Sequence, residues 1–207
     1  MTEPTEPFDL DSLPDTRVMQ RSLLTVAQKR EGLAFHEAAH ALVGMTYGMS
    51  LARVRLIETE ADGPAPGLIQ TGATTWNPTW VAEFAFAVQC AAGPIAERRH
   101  LAEAGLLTAD VAAQVAGDND RDVAVATLAR SGYELALSGP VPQGGATWDQ
   151  VTERAREDVS ALWPEVAALA EALLTADDLT ITPADVLRLT GRPNPAPGTP
   201  PASPASE

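Results

Sequence analysis

Two of the three histidines in this chain stand four residues apart inside an apolar stretch, LAFHEAAHALVG at 33–44. A spacing of four on a helix puts His36 and His40 on one face, one turn apart. Ala34, Phe35, Ala38, Ala39, Leu42 and Val43 surround them. The pair must therefore be partnered as well as buried, because unpaired polar groups in an apolar setting cost free energy. Two imidazoles so related can bind one zinc ion at about 2.0–2.1 Å each. Glu37 lies about 100° further round the helix. That position suits a general base toward a metal-activated water better than a ligand. The plain alternative is a pair of core histidines satisfied by backbone carbonyls.

Composition narrows the remaining choices. The chain has 207 residues, 45% of them hydrophobic, which fits one domain plus tails. Lys and Arg number 14 against 28 Asp and Glu, a net charge of -14. Such a chain repels phosphate backbones, so nucleic-acid binding through a basic surface is excluded. The single cysteine, Cys90, excludes an internal disulfide framework and a cysteine-rich zinc site. No apolar run is long enough to span a membrane, and the acidic N-terminus has no signal-peptide pattern. A soluble cytoplasmic protein is expected. Residues 1–17 are acidic and hold prolines, and residues 191–207 are rich in proline. Both read as disordered tails around an ordered domain at 18–190.

The pattern between the tails is mostly helical. Residues 17–48 read as helix, with a break open at Glu31-Gly32, since glycine costs about 1 kcal/mol in a helix interior. LARVRLI (51–57) alternates imperfectly and reads as a strand. A turn cluster at 61–67 and a second strand at 68–76 complete a hairpin. Residues 79–104 are helical, with Pro94 marking a kink or a boundary. GDNDRD (117–122) starts a helix that continues through VAVATLAR. After a loop at 139–145, helices are expected over about 147–175 and 183–190, the latter with Thr182 as cap and Pro183 in its first turn. The class is mainly α (α+β), with a small β element beside the histidine helix.

A hydrolytic zinc needs a third protein ligand and one open position. His100 follows Arg98 and Arg99 at a helix end and reads as a surface or dipole-complementing residue rather than a ligand. Carboxylates remain: Glu97, Asp118, Asp120 and Asp122. Stepping about 100° per residue puts Asp120 on the same face as Ala124 and Leu128, and Asp122 on the polar face between Arg121 and Arg130.

These segments resemble a known family. QKREGLAFHEAAHALVG (28–44) resembles the catalytic helix of the FtsH family of ATP-dependent zinc metalloproteases. CAAGPIAERR (90–99) resembles its downstream Gly-x-x-Ala-Glu helix, and NDRDVAVATLAR (119–130) resembles the stretch that supplies its third zinc ligand. Residues 155–191 resemble its last helices. The resemblance covers residues 28–190. It implies a helical zincin-type peptidase with zinc on His36, His40 and Asp120 and with Glu37 as base. A competing alignment puts Asp122 in place of Asp120. Glu97 then either orients a ligand histidine or pairs with Arg98 or Arg99 on the surface. Leu68–Thr75 lies where the family places a substrate-binding strand, and reads equally as an ordinary hairpin strand. Ala39 stands where the family usually has glycine. No Walker-type phosphate loop occurs in the sequence, and the family's membrane anchor is missing. The expectation is a free-standing protease domain acting on unfolded or flexible polypeptides. A separate ATPase partner and a homo-oligomer are the assemblies the resemblance suggests. The competing expectation is a zinc-stabilised interaction module that no longer turns over substrate.

Overall fold

Thr25 starts the first helix by exchanging two hydrogen bonds with Gln28. The Gln28 amide donates to Thr25 Oγ1 at 3.2 Å, and the Thr25 amide donates to Gln28 Oε1 at 2.9 Å. This reciprocal cap satisfies two donors that a helix start leaves free. The structure, a computed structural model, describes residues 23–61, 67–115 and 117–198. The expected helix start at 17 and the N-terminal tail thus lie outside the described residues, apart from the helix itself, α1 (Val26–Thr46). No break occurs at Gly32. A Cβ there would come within 3.2 Å of a Glu97 oxygen on the neighbouring helix, so the missing side chain makes room for Glu97.

The hairpin forms as expected but is longer. Strand β1 (Leu51–Ala61) pairs antiparallel with β2 (Gly67–Trp76). The register shifts between Leu51 and Arg53. That irregularity explains the imperfect alternation: Leu51, Val54 and Leu56 are all buried although 51 and 54 differ in parity. Across the ladder Leu56 faces Gly72 and Val54 faces Thr74.

Helix α2 (Glu83–Glu103) carries Pro94 in its interior and does not end there. A proline removes one backbone hydrogen bond and crowds the preceding turn. Here its ring packs where Gly117 has no Cβ to obstruct it. A short helix that the sequence pattern did not suggest, α3 (Ala109–Gln114), is capped by the Thr108 side chain. It precedes α4 (Asp118–Arg130), whose cap residue Gly117 has φ 73°. Strands β3 (Leu135–Ala136) and β4 (Ala146–Thr147) form a two-residue parallel bridge. The single helix expected over 147–175 is two, α5 (Trp148–Ala161) and α6 (Trp163–Thr175). Pro164 separates them, having no N–H to carry the ladder across the junction. Strand β5 (Thr180–Ile181) adds to the far side of β1, giving the order β2-β1-β5. Helix α7 (Pro183–Thr190) closes the fold on its Thr182 cap.

The architecture is mainly helical with a small antiparallel sheet. Helix α1 sits at its centre, packed on the sheet, on α2 and on α6, while α5 covers the outer side of α2. Its alanines at 34, 38, 39 and 41 are fully buried, as are Ala87 and Ala92 of α2. Such small side chains let the two helices approach closely, which brings their functional residues into contact. Among the described residues, no helix is long and apolar enough to cross a membrane.

The ordered chain runs past the expected limit at 190. Arg192 donates to both oxygens of Glu165, at 2.6 and 3.2 Å. Asn194 clamps the start of β1: its Oδ1 accepts from the Leu51 amide at 2.8 Å, and its Nδ2 donates to the Leu51 carbonyl at 2.9 Å. Leu51 is fully buried. Replacing Asn194 by Ala strands that amide and is expected to cost about 1–3 kcal/mol. Urea unfolding of the variant beside the parent chain measures this, and an unchanged midpoint would show that the clamp contributes nothing.

Candidate metal centre

The site is assembled from three helices and one strand. Helix α1 supplies His36, Glu37 and His40, α4 supplies Asp120, α2 supplies the groups behind the histidines, and β2 supplies those around Glu37. His40 Nδ1–H donates to the Gln89 carbonyl at 2.7 Å. A carbonyl only accepts, so this bond places the proton on Nδ1 and leaves the Nε2 lone pair free. His36 Nδ1 lies 3.0 Å from Glu97 Oε2, and Glu97 is buried. Of the two roles open to Glu97, it takes the orienting one: Arg99 pairs instead with Glu103.

The two Nε2 atoms face each other at 2.9 Å. Asp120 Oδ2 lies 3.3 Å from His36 Nε2, and Asp120 Oδ1 lies 3.5 Å from His40 Nε2. Two donors about 2.0–2.1 Å from one tetrahedral ion stand roughly 3.3 Å apart, so these separations suit a shared ion. Among the described residues, His36, His40 and Asp120 are the one group of His, Cys, Asp or Glu side chains that could hold a metal ion. Three protein donors of nitrogen and oxygen leave a position open, as a catalytic zinc requires. Gly93 completes the seat. A Cβ on it would press into both rings, coming within 2.6 Å of His36 Nε2.

Asp120 reaches the histidines from the first turn of α4, on the face that buries Ala124 and Leu128. Asp122 points away, its side chain 69% exposed and paired with Arg121 at 3.1 Å. The competing alignment is thereby set aside: helical periodicity carries Asp122 out of reach. His100 stands in the last turn of α2, where its ring complements the helix dipole, and it is half-buried. It stacks on Phe35 with centroids 4.0 Å apart, and its Nε2 lies 3.8 Å from Glu31.

Glu37 is 5% exposed and lines the same cleft as His36 and Asp120, a cavity of about 800 Å³. The Thr74 hydroxyl donates to Glu37 Oε2 at 2.7 Å. Gly72, two residues earlier on the same face of β2, leaves the space that the carboxylate fills. Neither Thr74 nor Gly72 was visible as a site residue in the sequence. An isolated glycine within a strand pattern was the available signal, since it marks a close approach. Gly93 in the α2 pattern gave the same signal.

Neither a known protein-family model nor any curated protein matches this chain. The chemistry of the site must therefore be judged on its own geometry.

The carboxylates around His36 favour its protonated form. Burial disfavours a charge on His36, but hydrogen bonds to the Asp120 and Glu97 carboxylates and the nearby charge of Glu37 outweigh it, raising the pKa to about 10. Burial likewise opposes the charge of Asp120, and its close contacts with the His36 and His40 rings overcome this, holding it well below the usual carboxylate range. The His36 imidazolium thus supplies the positive charge that a cation would otherwise bring. Cys90, buried and near the Asp120 charge, is pushed up to about 12 and stays a thiol.

A divalent ion must displace the His36 proton on binding. Between neutral pH and about 10, one proton should therefore leave per ion bound, and apparent affinity should rise about tenfold per pH unit. Titration calorimetry in buffers of different ionisation enthalpy counts that proton. A pH-independent affinity over this window would contradict a protonated His36.

Proposed function

We propose that this chain is a zinc metallopeptidase of helical zincin type, akin to FtsH-family peptidase domains, that hydrolyses peptide bonds of flexible or unfolded polypeptides. The convergence of His36, His40 and Asp120 at one locus, with the Glu37 carboxylate lining the same cleft, carries this function. His36 Nε2, His40 Nε2 and an Asp120 oxygen would hold the ion. Bound zinc supplies Lewis acidity, acidifying a water and polarising a carbonyl. Glu37 takes the proton from the attacking water as the new C–O bond forms. It then delivers that proton to the amide nitrogen as the C–N bond breaks. The Thr74 hydroxyl holds Oε2 and so fixes the carboxylate's rotamer. Glu97 and the Gln89 carbonyl hold the two rings, a positioning role that tunes ligand basicity.

A purely structural ion has no need of a buried carboxylate beside an open position. Glu37 therefore favours an enzyme over a zinc-stabilised interaction module. Flexible chains in the cytoplasm, or chains delivered by a separate ATPase partner, are the substrates we propose for this cleft. The test is mass spectrometry of a broad pool of unstructured peptides incubated with zinc-loaded protein. Cuts at defined positions are expected. No cuts despite one bound ion per chain would remove the self-sufficient enzyme and leave either a peptidase that needs a partner to deliver substrate or the silent module.

A further inference from the structure

Helices α2 and α5 leave a second cleft, of about 620 Å³, that meets the metal cleft only at Gly117. Ala91, Ile95 and Val159 give it an apolar floor, and Trp148 gives it an aromatic wall. Arg98, Arg99 and Arg156 line it, together with the hydroxyls of Thr152 and Ser160. Thr152, Arg156 and Ser160 recur every four residues and so share one face of α5. Asp149 is the one carboxylate among the lining residues. Two of the three arginines, Arg99 and Arg156, pair with carboxylates outside the lining, Glu103 and Glu153, which leaves Arg98 as the unpaired cation of the cleft among the described residues. The general field of so acidic a protein repels anions. Against that field the cleft offers guanidinium donors gathered in one concavity.

The three arginines are held differently. Arg99 is fixed in place: it lies over the Trp163 ring at 4.1 Å, donates to Glu103 at 2.8 Å and reaches Ser160 Oγ at 3.5 Å. Arg156 donates to Glu153 at 2.9 Å, but both side chains are well exposed, and a solvent-screened pair of this kind holds weakly. Arg98 is exposed and has no hydrogen bond or ion pair with any described residue. Two guanidinium groups are thus free, or readily freed, beside a third that is anchored.

We infer that this cleft binds a small divalent oxyanion, of the phosphate or dicarboxylate class. Guanidinium presents a planar fork of donors that matches either group with paired hydrogen bonds. The cleft's volume lies within the roughly 300–1,000 Å³ usual for small-molecule sites. Unlike the peptidase proposal, this site requires no metal and no turnover.

The test is calorimetric titration of the full chain with inorganic phosphate and, separately, with succinate. Neither probe chelates metal strongly. The same titrations are run on Arg98→Ala, on Arg156→Ala, and on Lys29→Ala, whose lysine lines the metal cleft instead. Saturable 1:1 binding of at least one anion is expected, weakened tenfold or more by an arginine substitution and unaffected by Lys29→Ala. Binding of phosphate alone, succinate alone or both identifies the source of the oxyanion. The inference is overturned if neither anion binds saturably, if neither arginine substitution weakens binding, or if Lys29→Ala weakens it as much. All three residues project into solvent-lined clefts, and circular dichroism verifies that each variant is folded.

Discussion

Replacing Glu37 by Gln is expected to lower peptide cleavage by about 10²–10⁴-fold while one zinc remains bound per chain. Glutamine has the same shape, which matters at a position only 5% exposed. Its carbonyl can still accept the Thr74 hydroxyl, so neither the helix nor the strand needs to shift. What is lost is a proton acceptor. Mass-spectrometric cleavage of the peptide pool, run beside metal analysis of the same preparation, separates the two properties. Unchanged cleavage would remove Glu37 from its role. Loss of metal or of helical content together with cleavage would mean that Glu37 supports structure instead.

Gly93→Ala should have the opposite signature. A methyl group at this position points into both imidazoles. The rings cannot retreat, because Glu97 and the Gln89 carbonyl hold their other sides. Metal affinity should fall by at least about 100-fold, the upper end for losses that leave the ligands themselves in place. Gly72→Ala places its methyl within 2.6 Å of the Glu37 carboxyl carbon instead. That variant should keep its metal and lose cleavage. The two alanine variants together dissect a binding step from a proton-transfer step without altering any group that performs either. Equilibrium competition with a chromophoric chelator gives the affinities, and circular dichroism checks the fold. Equal metal affinity in parent and Gly93→Ala would show that the rings do not meet where the geometry puts them.

Much of this site was legible because it rests on helical periodicity. The spacing of His36 and His40 fixes their common face, and the same arithmetic turns Asp120 inward with Ala124 and Leu128 and turns Asp122 outward. The parts that escaped notice depend on what another element brings alongside. Gly32 and Pro94 look like interruptions when each helix is considered alone. In the fold Glu97 fills the space beside Gly32, and Gly117 accommodates the Pro94 ring. Thr74 and Gly72 meet Glu37 only through packing of β2 on α1. Strand β5 is two residues long and carries no alternation to detect. Proline content concealed the order of residues 191–194, since Asn194 is held by backbone groups of Leu51 that no composition reveals.

His40 and Asp120 are separated along the chain by two strands and two helices, α2 and α3 among them. A growing polypeptide that has emerged only as far as α2 possesses both imidazoles and their orienting partners, yet has no third donor. The three-residue cluster is thus complete only once α4 has docked. A premature stop anywhere before residue 120 leaves the two imidazoles without Asp120, and an ion held by all three would tie the first helix to the fourth.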